Sequence, residues 1–173
     1  MGNDYSVLIN VEYVDNKFTV RQIDFFSKME LMELCGWGIQ IFKKLSPDKI
    51  MVDMIGVGAG VHDRLKEQGY PVVGVNVAES PCMGGEDFKN KKGEMYWHLR
   101  GLFERQEILI PKIPNHTKLL AELSSMKYKY DSGGKLQIVD PDKSPDFADA
   151  LALACYGPII SAQKLGAAMV DIW

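Results

Sequence analysis

Three groups of residues in this chain have the types and spacing to do chemistry. Asp53 closes the short apolar run Lys49-Ile50-Met51-Val52, which reads as a buried strand. Open α/β sheets place ligand sites at the carboxyl ends of such strands. A carboxylate there is costly unless it is paired or holds a metal ion, and an Asp that simply caps the next loop is an equal alternative. Ser144-Pro145-Asp146-Phe147-Ala148-Asp149 opens a helix. Ser144 can cap it, Pro145 suits its first turn, and Asp146 and Asp149, three apart, share one face. The helix dipole alone favours two acids at that end. Joined by Asp53, they would form a hard, oxygen-rich pocket of the kind Mg²⁺ or Mn²⁺ prefers. Two such ions can hold the attacking and leaving oxygens of a phosphodiester.

The third group is Gly56-x-Gly58-x-Gly60, between a strand and a helix. That is the layout of a phosphate cradle. Its spacing is neither the dinucleotide fingerprint nor a P-loop, and no Lys-Ser/Thr follows. A tight turn with close backbone approach explains the glycines equally well. A small nucleotide-binding α/β protein is therefore the least favoured reading.

Lys89, Lys91, Lys92 and Arg100 form a basic run, and Lys127, Lys129 and Lys135 form another with Tyr128 and Tyr130 between them. Such runs are usually solvated faces. Two of them with interleaved aromatics also fit a groove that follows a phosphate backbone. His62, His98 and His116 are scattered and read as surface or helix-face residues, so no nucleophilic triad can be argued. Cys35, Cys82 and Cys155 contain no CxxC pair, which suits a reducing compartment rather than a zinc site or disulfide framework.

These residues need a scaffold, and 173 residues with 46% hydrophobic and 25% charged content make one folded domain. A net charge of −3 argues against coating nucleic acid by bulk charge but leaves room for a local basic groove. Residues 5–13 and 18–25 read as a hairpin, and the apolar first strand is expected to be central. A helix capped by Ser27 ends at Pro47. Strands at 49–53 and 72–77 flank a helix over 61–68. Residues 78–92 read as a loop, 94–105 as a helix, 108–110 as a strand and 117–125 as a helix. A hairpin turns at Asp131-Ser132-Gly133-Gly134, and a last helix covers 146–155. The order predicts an α/β domain with a mixed sheet, comprising residues 1–156 and followed by a tail, 157–173. No apolar stretch is long enough to span a bilayer, and the first residues lack the basic-then-apolar run of a secretory signal.

Taken in order, four segments carry a resemblance: residues 51–65 (Met51-Val52-Asp53 through Gly60 to Leu65), 69–76 (Gly69-Tyr70-Pro71-Val72 to Asn76), 88–97 (Phe88-Lys89-Asn90-Lys91-Lys92-Gly93-Glu94 to Trp97) and 144–151 (Ser144-Pro145-Asp146-Phe147-Ala148-Asp149-Ala150-Leu151). From about Gly2 to about Leu153 the chain resembles the C-terminal nuclease domain of the large terminase subunits that package DNA in tailed phages and prophages. The resemblance implies a ribonuclease H-like mixed sheet flanked by helices. It also implies a two-metal, Mg²⁺- or Mn²⁺-dependent endonuclease that cuts concatemeric double-stranded DNA in the cytoplasm of a bacterial host. Asp53 matches the second catalytic acid, Asp149 the acid of the last helix, and Asp146 an auxiliary ligand position. Lys89, Lys91, Lys92, Lys127 and Lys129 would contact the DNA backbone. The terminase small subunit, the portal and an ATPase domain are the implied partners, and no membrane is. The family's first acid lies on a strand before the Gly2-Asn3-Asp4 turn, where this sequence begins. The expectation is thus a domain without its first strand, with weakened catalysis, or a remnant that only binds DNA.

Overall fold

The computed structural model describes residues 5–27 and 29–165, with side chains to Pro158. The Gly2-Asn3-Asp4 turn and the end of the expected tail lie outside the described residues. Strand β1 (Tyr5–Val14) pairs antiparallel with β2 (Lys17–Ser27) about Asp15 and Asn16, which both take positive φ. Two such residues give the turn whose twist matches a hairpin. Strand β5 (Ile108–Leu109) adds parallel to β2, in the order β1-β2-β5. The expected central position of β1 is corrected: it ends this sheet, because among the described strands only β2 pairs with it. Its apolar residues are covered instead by helix α5 (Asp146–Leu165).

Helix α1 (Leu31–Leu45) starts later than a Ser27 cap would place it. Phe25 packs edge-on to Tyr5, and Phe26 packs edge-on to Trp37 at 4.8 Å between ring centroids, so the chain stays extended through Ser27. Glu30 is the cap, and with Glu33 it forms a reciprocal capping box.

Strands β3 (Ile50–Asp53) and β4 (Val72–Val75) run parallel, joined by helix α2 (Gly58–Glu67). Alternate β3 residues serve opposite faces, as the two-residue repeat of a strand requires. Ile50 and Val52 pack with Cys35, Val61 and Leu65 of α1 and α2. Met51 joins Phe147, Leu151 and Tyr156 of α5. The pair is thus covered by helices on both faces. Gly157 of α5 lies against Lys49 and Met51. Gly157 thus sets the second half of α5 against the start of β3.

Helix α3 (Lys91–Glu104) begins three residues before the expected start, because Asn90 caps it by accepting the Gly93 N–H at 3.1 Å. It sinks Met95, Leu99 and Leu102 into the core shared with α5. Full burial of side chains such as Tyr156, Phe147 and Leu99 stabilises by about 1.5–3 kcal/mol each. Helix α4 (His116–Ser125) leads into the hairpin β6 (Lys127–Tyr130) and β7 (Leu136–Val139). Helix α5 runs well past Cys155, through Pro158, so the boundary expected at 156/157 falls inside it. Proline inside a helix forfeits a backbone hydrogen bond, and burial of this helix outweighs that loss. No described helix is long and apolar enough to cross a membrane.

Candidate active site

Strand β3 delivers Asp53 at its carboxyl end, half-buried, with Oδ1 accepting the Ile55 N–H at 3.0 Å. Burial pushes its carboxyl above the usual range, against the pull of the Ile55 N–H and the positive charge of Lys92. The glycine run follows for a steric reason. A Cβ on Gly58 would lie 1.7 Å from the Asp53 carbonyl oxygen, and Gly56 has φ +65°. Close backbone approach accounts for Gly58 and a left-handed backbone for Gly56, with no phosphate required.

Asp149 stands in the first turn of α5 and is held by two groups from α3. Tyr96 donates its hydroxyl to Oδ1 at 2.6 Å, and Lys92 Nζ donates to Oδ2 at 3.2 Å. Lys92 also donates to Asp140 Oδ1 at 2.6 Å. Burial raises the Asp149 carboxyl, and the charge of Lys92 opposes that. Burial would lower the Lys92 ammonium, but the carboxylates of Asp149 and Asp140 outweigh it and hold it above its ordinary value. Tyr96 is raised by burial and by Asp149, so it remains a hydrogen-bond donor. One cation thus lies in the field of Asp53, Asp149 and Asp140.

Asp146 is committed elsewhere. Its Oδ2 accepts the Tyr5 N–H at 2.7 Å, and its Oδ1 accepts the Ser144 hydroxyl at 2.5 Å. It ties the start of β1 to the start of α5. Beside it, Glu122 of α4 caps α5, accepting the Phe147 and Ala148 N–H groups at 2.7 and 3.0 Å. Burial raises the Glu122 carboxyl. Among the described residues no three His, Cys, Asp or Glu gather into a group that could hold a metal ion. Asp53, Asp146 and Asp149 accordingly do not close into one cage.

The basic residues fall into two sets. Lys91 pairs with Glu79 at 3.2 Å, and Lys92 is largely covered by its acids. Lys89, which bonds Gln137, and Lys127 and Lys129 are exposed. The loop before α3 is pinned by buried Glu94. Its carboxylate accepts the N–H groups of Cys82, Met83 and Gly84 at 2.7–2.9 Å, and the Tyr156 hydroxyl. Burial alone would raise Glu94, but these four donors together hold it below its ordinary value. Cys35, Cys82 and Cys155 are free thiols, and burial pushes Cys155 up to about 12.

No family model matches the sequence, and no curated protein matches it. Solved structures do. The nuclease domain of the large terminase subunit of bacterial virus Sf6 superposes with a TM-score of 0.70 at 20% identity, covering 87% of each chain. A variant of that domain solved with manganese gives 0.69 at 22% identity, over 86% of this chain and 87% of that one. The large terminase nuclease of thermophilic phage G20c with bound magnesium gives 0.63 at 17% identity, over 89% and 82%. The fold is that of phage large terminase nuclease domains. It is the ribonuclease H-like nuclease fold, built here from a mixed β1-β2-β5 sheet, the parallel β3–β4 pair and five described helices.

On this terminase nuclease fold, the residues that sequence reasoning missed are those whose role depends on distant partners. Tyr96, Asp140, Glu122 and Glu94 carry no local motif for the bonds they make. Lys92 was read as a DNA contact, yet it is bound to Asp149. One signal was available: Lys92 and Tyr96 are four apart, hence on one face of α3.

Proposed function

We propose that this chain is a nuclease domain of a phage or prophage DNA-packaging machine, which cuts concatemeric double-stranded DNA with Mg²⁺ or Mn²⁺. The observation that carries this reading is that Lys92, which bonds Asp149 on α5, also acts by its charge on Asp53 at the end of β3, on a terminase nuclease fold. Asp53 and Asp149 fit a divalent ion: both are hard oxygen donors, and the Lys92 ammonium stands in for positive charge at Asp149. Asp146 fits less well, because it holds no cation that an ion could replace and its Oδ2 is bound to the Tyr5 backbone N–H, so it acts in support by fixing β1 to α5. When bound, the ion supplies charge neutralisation at the phosphate and eases the deprotonation of water. The chain's own residues do the rest. Tyr96 orients Asp149. Lys92 neutralises that carboxylate and is free for a phosphate once the ion has arrived. Lys89, Lys127 and Lys129, with Lys91 behind them, meet the DNA backbone.

Strands β1 and β3 each end a sheet among the described strands, and α5 packs on both. In this reading a strand bearing a further acid joins the sheets there and completes a two-ion site. Small subunit, portal and ATPase domain are the partners, in the bacterial cytoplasm. The absence of a three-acid group among the described residues favours a second reading, a module that binds DNA without cutting it.

Nicking of supercoiled plasmid in Mn²⁺ separates the two. The nuclease reading expects nicking that EDTA and Asp53→Ala abolish. Salt-sensitive plasmid binding with no nicking by either protein would establish the second reading.

A further inference from the structure

About two turns along α3 from Lys92 lies a patch that neither the acids nor the core accounts for. Trp97 and Arg100 of α3 face Tyr128 and Tyr130 of β6. The Arg100 guanidinium lies 4.6 Å from the Trp97 ring centroid and 5.7 Å from that of Tyr128. Tyr128 meets Trp97 edge-on at 5.7 Å and Tyr130 edge-on at 6.0 Å. The three rings are 38%, 48% and 59% exposed. Behind them a groove of about 490 Å³ runs between α3 and the α4–β6 junction, with Tyr96 and Lys127 in its wall. Tyr96 lines this groove while its hydroxyl holds Asp149, so one side chain links the groove to the candidate site. Lys92, Tyr96 and Arg100 recur every four residues along one face of α3, a line of about 12 Å from the acids to the patch.

The chemistry of the patch selects its occupant. Its charged members are Arg100, which Glu104 already binds at 2.7 Å, and Lys127 in the groove wall, while Lys129 stands on the opposite face of β6 from Tyr128 and Tyr130. Exposed aromatic rings beside the Lys127 ammonium suit planar bases on a phosphate backbone, and the apolar faces of bases also match the Leu99, Leu123, Met126 and Ile138 lining of the groove. A cationic groove with stacking rings is how proteins hold single strands.

We propose that Trp97, Arg100, Tyr128 and Tyr130 form a stacking platform for unpaired DNA bases, so that this domain engages frayed or single-stranded segments beside the duplex it cuts. The proposal rests on the DNA-nuclease reading and adds to it the form of DNA preferred.

Fluorescence anisotropy in EDTA, with labelled blunt duplex, the same duplex carrying an unpaired oligo-dT fork, and oligo-dT alone, tests it. The full chain is expected to bind the fork about tenfold more tightly than the blunt duplex. Trp97→Ala and Tyr128→Ala should erase that preference while leaving blunt-duplex affinity within about twofold, and Trp97→Phe and Tyr128→Phe should restore it. If circular dichroism shows either alanine variant misfolded, Tyr130→Ala, at the most exposed ring, carries the same expectation. Equal affinity for fork and blunt duplex, or a preference that survives in folded alanine variants, overturns the platform and leaves the DNA reading standing. No binding to any DNA overturns both. Unchanged DNA binding with loss of self-association in sedimentation reassigns the patch to a protein interface and overturns the proposal.

Discussion

The Lys92 ammonium lies 3.2 Å from Oδ2 of Asp149, joining the first turn of α3 to the first turn of α5 at the carboxylate we assign to a divalent ion. A protein that keeps its own cation there has a site that holds together before the ion arrives. The arrangement has a cost, because the incoming ion must compete with Lys92.

Lys92→Met tests this competition. Without the ammonium, Asp149 keeps only the Tyr96 hydroxyl, and its carboxyl moves further up. Stability in EDTA at pH 7 should fall by about 1–3 kcal/mol, the cost of leaving a covered charge without its partner. Mn²⁺ should then raise the Tm of the variant more than that of the parent, because binding to the folded state alone stabilises it. Equal Tm and equal Mn²⁺ shifts for the two proteins, by scanning fluorimetry, would show that Lys92 does not occupy the site.

Glu94 sets an acid limit on the loop before α3. Its folded carboxyl is held below the ordinary value, so the unfolded chain takes up the proton first as pH falls. Its contribution is therefore full above the ordinary glutamate pKa of about 4.3 and is lost as pH drops through the lower folded value. Asp53, Asp149 and Glu122 are raised and act oppositely: protonation on acidification relieves them. Glu94→Gln should lose about 1–3 kcal/mol at pH 7, because one amide now faces donors. Urea melts from pH 7 to 3 should show the variant losing less than the parent below pH 4. Parallel curves would remove Glu94 from the account.

The glycine run gives a steric prediction. Gly58→Ala puts a methyl into the Asp53 carbonyl and should cost about 2–3 kcal/mol or more. Gly36→Ala, inside α1 with nothing within 4 Å of the new carbon, should stabilise by about 0.5–1 kcal/mol. Urea unfolding of both variants checks the contrast. A harmless Gly58→Ala would reopen the phosphate-cradle reading.

Periodicity made most of the scaffold legible. The β1–β2 hairpin, the β3-α2-β4 unit and the β6–β7 hairpin stand about where alternation and turn residues place them. Errors cluster where tertiary contacts override local signals. Phe25 and Phe26 carry β2 through the expected Ser27 cap, and core burial carries α5 through Pro158. Asp53 and Asp149 could be singled out because each marks an element's end. The partners of Asp149 were only half legible: their four-residue spacing puts Lys92 and Tyr96 on one face of α3, but that this face meets Asp149 depends on the packing of α3 on α5, which no local spacing encodes. Asp146 was legible as an acid but not as the anchor of β1, because a backbone N–H leaves no mark in a sequence.

Anomalous diffraction from crystals of this protein soaked in Mn²⁺ tests the central claim most directly. The account predicts a manganese peak bound by Asp53 and Asp149, with Lys92 Nζ withdrawn from Asp149. A map with no peak there, and with Lys92 still seated on Asp149 at saturating Mn²⁺, would contradict it.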